Sequence, residues 1–194
     1  MAKYCGFLLA LVGIMYSVTF AKEGVRFGVG FDYIPVIKLE YSHSTDENPE
    51  IVDNLIWQGH LSYDFGNGFK TGVLLDYFPK TFHPGPFRTT DLTLWGVGLT
   101  GDYGYEMTDS GHALLVGGTE FGYAHLSDKS GTSSGKAGSF WIAGFAGLRF
   151  LIFRTLWLEG DYCISFQEFG PLGVLEKKYI FTASSLRFML EYPF

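Results

Sequence analysis

Two groups of residues in this chain have the types and spacing to do chemistry. In Tyr123-Ala124-His125-Leu126-Ser127-Asp128 a histidine stands two places before a serine. An imidazole can act as general base for a serine hydroxyl, which would make a nucleophile for acyl transfer. The second group is dispersed. Glu120, Arg149, Glu159, Asp161 and Arg187 are charges set inside otherwise apolar, alternating stretches. Charges of both signs in such places must satisfy one another. Such a cluster either fills a lumen with salt bridges, or lines a narrow ion path whose pairs open by exchanging partners. A third possibility is a surface metal site from His43, His83 and His125 with Asp46, Glu47, Glu50, Asp53, Asp91 and Asp128. No histidine pair at i,i+2 or i,i+4 supports it, so a solvated acidic rim is expected and no metal, cofactor or catalytic residue is assigned.

The elements that position these residues alternate with period two. Val25, Phe27, Val29, Phe31 and Tyr33 share one face of a first strand, and Arg26, Gly28, Gly30 and Asp32 the other. The same parity through Pro35, Ile37, Leu39 and Tyr41 predicts a strand to about residue 42, with a bulge at the proline. Further strands are expected over 54–65, 69–78, 91–103, 112–125, 139–151, 156–166 and 178–194. Gly66-Asn67-Gly68 marks a tight hairpin. The connections at 43–53, 79–90, 126–138 and 167–177 read as long loops, and those at 66–68, 104–111 and 152–155 as shorter turns. The fold class is therefore all-β: an eight-stranded antiparallel up-and-down transmembrane barrel, with both chain ends on the side of the short turns.

A soluble barrel would put its apolar face inward, so the faces must be assigned separately. The second face carries many glycines, as a narrow lumen requires, and the mid-strand charges. One arginine or lysine at the lipid midplane would cost roughly 2–4 kcal/mol. The aromatics of the apolar face collect at strand ends: Phe65, Phe69, Tyr103, Phe150 and Tyr192 on one rim, Trp57, Tyr77, Tyr123, Phe140 and Phe166 on the other. Two such girdles suit rings at the headgroup level. Tyr41, Phe82, Phe87 and Phe169 lie in the long loops, where they either bind a partner or pack together as a cap.

Length and composition agree. The 194 residues suffice for one domain, 47% are apolar, and the net charge of -6 offers no basic field to nucleic acid. Lys3 followed by the apolar run Gly6–Val18 and by Thr19-Phe20-Ala21 reads as a secretory signal peptide over 1–21, with the barrel domain over 22–194. Cys5 would leave with the signal, so Cys163 has no partner for an internal disulfide.

The chain ends Leu186, Phe188, Leu190, Tyr192, Phe194 at alternate positions. This ending resembles the C-terminal signal of bacterial outer-membrane proteins, which implies recognition by the barrel-assembly machinery. Pro193 departs from the pattern and needs a gap in the ladder. The whole pattern resembles the small OmpA-like and OmpX-like eight-stranded barrels, which implies an outer-membrane location among lipid and lipopolysaccharide, but no particular activity. The His125–Ser127 spacing is similar to that of the lipid A deacylase barrels. Those carry the pair near the C-terminus with a glutamate about a dozen residues on; here 139–141 reads Ser-Phe-Trp. The expectation is a non-enzymatic barrel with a polar-filled lumen, supporting the envelope or presenting loops 43–53, 79–90, 126–138 and 167–177 to a ligand. A narrow channel, cation-selective because acids outnumber bases on the inner face, is the alternative. A lipid A-modifying enzyme comes third.

Overall fold

The computed structural model describes residues 24–41, 50–85, 88–131, 133–172, 177–181 and 183–194. The expected signal peptide lies outside them, as do His43, Asp46, Glu47 and Phe87. The described strands are β1 (Gly24–Tyr41), β2 (Glu50–Asp64), β3 (Phe69–Gly85), β4 (Arg88–Glu106), β5 (Ala113–Ser130), β6 (Ser133–Leu151), β7 (Trp157–Leu172), β8 (Lys177–Ile180) and β9 (Ala183–Pro193). β8 and β9 are two segments of the last stave, since both pair with β7 on one side and β1 on the other. Each stave is antiparallel to its neighbours, and β9 meets β1 from Arg26↔Pro193 to Tyr33↔Leu186. This closes an eight-stave barrel with no free edge, the arrangement that satisfies every backbone group without water.

The near end holds Gly24, Phe194 and the short turns. Phe194 N–H donates to Val25 O at 2.8 Å. Successive residues of a strand donate to opposite neighbours, so the Pro193 nitrogen faces β7. There the pairing has already stopped at Trp157↔Glu191. The ladder gap that Pro193 needs is present.

The expected loops at 79–90 and 126–138 are strand over most of their length. Lys80 pairs with Leu92 and Phe82 with Thr90, while Ser127 pairs with Lys136 and Ser130 with Ser133. Gly, Ser and Pro suggested loops here, but backbone pairing between long adjacent staves overrides that local signal. Residues 50–53 and 167–172 are likewise strand.

β1 also departs from the expected pattern. Ile34 and Ile37 both point inward, so parity does not run unbroken through Pro35 as expected. The partner strand takes the same step: Ile51 and Asn54 are buried while Val52 and Asp53 between them are exposed. Asp53 adopts φ 53°, and pairing resumes on both sides with no shift in register. Asn54 Nδ2 bridges the break by donating to Ile51 O at 2.7 Å and Ile34 O at 3.2 Å.

Candidate functional site: a stratified lumen

Between the two girdles the wall is apolar outside. Val29, Leu61, Val73, Leu99, Phe121, Ile142, Ile164 and Leu190 are all exposed. Aromatic rings bound this belt. On the far rim Trp57, Tyr77, Trp95 and Tyr123 are exposed, and Tyr123 meets Phe140 edge-on at 5.2 Å. On the near rim Phe65 lies between Tyr63 at 5.0 Å and Phe69 at 5.6 Å. Trp95 belongs to the far girdle, although the sequence reading left it out.

Within this belt the inner side chains form two charged groups. The one nearer the chain ends centres on Lys70, whose Nζ lies 2.6 Å from Glu191 Oε1 and 3.4 Å from Asp102 Oδ2. His60 Nδ1 also reaches Glu191 Oε1, at 3.0 Å. Arg149 Nε donates to Glu159, and its Nη2 donates to Asp102 Oδ1 at 3.1 Å. The second group sits deeper. Arg187 grips Glu120 with both Nη atoms, the Nη2 bond being 2.8 Å. Its guanidinium lies 5.1 Å from the centre of the Phe145 ring.

The five residues singled out from sequence are thus all inward and buried, but they are not one cluster. Glu120 and Arg187 form one pair and Arg149 and Glu159 belong to the other network. Asp161 is registered beside Arg187, yet neither of its carboxylate oxygens has a hydrogen-bond partner. Lys70, His60, Asp102 and Glu191 were not singled out from sequence; the signal that could have found them is their inward parity among the mid-strand charges.

Towards the far end the lumen changes character. Ile37, Ile51, Phe78, Leu92, Leu94, Leu126, Phe169, Tyr179 and Phe181 are packed inside and almost wholly buried. Phe181 meets Phe169 and Phe78 edge-on, at 5.5 and 6.1 Å. Outside, the same level of the wall bears Thr81, Asp91, Thr93, Ser127, Lys129, Lys136 and Glu168. Polarity therefore inverts along the axis: apolar out and charged in across the belt, polar out and apolar in beyond it. A lumen filled only with polar groups was expected; its outer part is an apolar core, because the staves outrun the belt and there face water. Phe82 and Phe169 join that core, as the cap reading required. Asp128 turns inward to accept a 2.6 Å bond from Tyr179 and is no part of an acidic rim.

Trp141 forms the boundary between the layers. It is accommodated because the facing positions are glycines: a Cβ on Gly98 or Gly122 would come within 2.5 or 2.7 Å of its ring. At the near end the lumen opens into a vestibule of about 930 Å³. Arg26 and Asp64 pair there at 2.5 Å, with Arg26 over the Trp157 ring.

His125 and Ser127 lie on the outer wall beyond the far girdle. The His125 ring stacks 5.6 Å from Trp95, and Ser127 is registered between Thr93 and Lys136. No hydrogen bond among the described residues joins the two. No group of three or more His, Cys, Asp or Glu is placed to hold a metal ion among the described residues.

A closed wall with an apolar outer belt and a charged interior defines a transmembrane β-barrel. Solved structures with this fold include the Neisserial surface protein A, NspA, at TM-score 0.61 and 13% identity over 88% of this chain and 97% of that one. OprG, an outer membrane protein of Pseudomonas aeruginosa, aligns at TM-score 0.58 and 14% identity, covering 89% and 97%. Ail, the attachment invasion locus protein of Yersinia pestis, aligns at 0.55 and 13%, covering 89% and 99%. At such identities the likeness is one of fold. No family model matches the chain, and no curated protein matches its sequence.

Proposed function

We propose that this is a non-enzymatic barrel of the bacterial outer membrane, closed to solutes, with its chain ends in the periplasm. It holds its extended far strands and their connections above the lipid, where they serve the envelope or meet a ligand. The observation that carries this reading is the apolar core in the outer lumen: an ion would have to pass between side chains at interior packing density. Short turns with the chain ends and long staves opposite support the orientation. A binding role also suits the fold, since Ail, with the same architecture, has been solved in complex with the heparin analogue sucrose octasulfate. Lipopolysaccharide would surround the polar outer wall, and the barrel-assembly machinery would read the ending Leu186 to Phe194.

The test is single-channel recording in a planar bilayer with protein whose mobility shift on boiling proves it folded. Silence is expected. Discrete, reproducible steps in the unaltered barrel would overturn the closed reading and favour the narrow channel.

A further inference from the structure

A small chamber lies between the ion pairs and the apolar core. Its volume is about 40 Å³, and its lining includes Asp32, Gln58, Asp76, Glu120, Trp141, Gln167 and Arg187. The acids and the base do not balance. Asp32, Asp76 and Glu120 face the chamber with one cation, Arg187, and that cation is committed to Glu120. Asp161 stands next to it, across the strand from Arg187. Asp32 is also registered beside Arg187, but its buried Oδ1 takes no hydrogen bond. The Gln58 amide donates to Asp76 Oδ1 at 3.1 Å, which leaves Gln58 Oε1 buried with no partner. Both Asp32 and Gln58 are more than nine-tenths buried.

We infer that this chamber is a binding site for one partly dehydrated monovalent cation of about the size of sodium. Water alone would satisfy hydrogen bonds, but the negative charge in excess of Arg187 has to be met by a proton or by a cation, and the sodium dependence measured below tells the two apart. A divalent ion asks for six or more oxygens with several carboxylates among them, and no such convergence exists among the described residues. A single charge needs less: one carboxylate oxygen, Asp32 Oδ1; one neutral oxygen, Gln58 Oε1; and water. The volume leaves room for an ion with one or two waters, since a water needs at least about 10–15 Å³. Those waters have donors to meet, because Trp141 Nε1, Gln167 Nε2 and Arg187 Nε are also buried without acceptors. The apolar core lies on one side of the chamber and the Lys70–Glu191 network on the other. The inference does not depend on whether the barrel conducts.

The experiment refolds the mature barrel into uncharged detergent micelles in sodium chloride, or in N-methyl-D-glucamine chloride of equal ionic strength. Folding is checked by the boiling shift. The thermal midpoint is expected to lie several degrees higher in sodium and to rise with the logarithm of its concentration, as for a ligand that binds only the folded state. Equilibrium dialysis against radioactive sodium should retain about one ion per barrel. Asp32→Asn should abolish both the sodium increment and the retained ion, while raising the midpoint in N-methyl-D-glucamine. Equal midpoints in the two salts with no retained ion overturn the site. So does a sodium increment that survives unchanged in Asp32→Asn. Should that variant not fold, Gln58→Leu removes the neutral ligand and must weaken sodium retention; undiminished retention overturns the assignment.

Discussion

Arg187 shows what one residue carries in this lumen. It holds Glu120 through two hydrogen bonds, with Asp32 and Asp161 registered on either side. Replacing it by methionine strands a buried carboxylate, a change that costs about 3–5 kcal/mol. Adding Glu120→Gln should recover only part of that loss, because Asp32 and Asp161 have still lost the guanidinium registered beside them. Urea unfolding of the single and double variants measures both; full recovery in the double variant would mean that the flanking aspartates do not feel Arg187. The sequence showed that Arg187 faces inward, because parity in a strand fixes the face. It did not show that the partner would be Glu120. That depends on the angle around the barrel and on stagger between staves, neither of which period-two reading contains. Asp161 has the same parity as Glu159 on β7, yet only Glu159 is met by Arg149.

The instructive element is β4. Outward-facing Trp95, Val97 and Leu99 lie in the apolar belt, and outward-facing Thr93 and Asp91 lie beyond it. Inward, the order reverses, from Asp102 and Thr100 to Leu94 and Leu92. Leu94-Trp95 is where the two patterns meet, and it reads in the sequence as a mere doublet of apolar residues. This is why the belt was legible and the upper core was not: a period-two scan follows one apolar face and loses it when that face changes sides. Leu99→Arg places a charge among lipid tails and should cost about 2–4 kcal/mol. Thr93→Arg, six residues away on the same strand and face, should cost less than about 0.5 kcal/mol, as for a surface site. Unfolding midpoints in lipid vesicles distinguish them; equal losses would mean that the belt does not end at Trp95.

At the scale of the whole barrel, Phe194 ties the last stave to the first. Phe194 adds one backbone bond to Val25 and edge contacts to Phe27 and Tyr192. Together these contribute about 1–3 kcal/mol. Deleting Phe194 should therefore lower the refolding midpoint modestly in purified protein. Its effect in cells should be larger, a several-fold loss of the boiling-shifted form, if the ending is also an assembly signal. Comparable modest losses in both settings would leave Phe194 a structural role alone. The inverted polarity has another consequence. In the proposed orientation, Lys129, Lys136 and their neighbours cross the hydrocarbon during insertion, while Leu92, Leu126 and Phe181 have no apolar core to enter until the far staves close together. Once they have closed, withdrawal means opening that core and dragging the lysines back. So oriented, the barrel is set like a rivet, its head formed only after the shank has passed through.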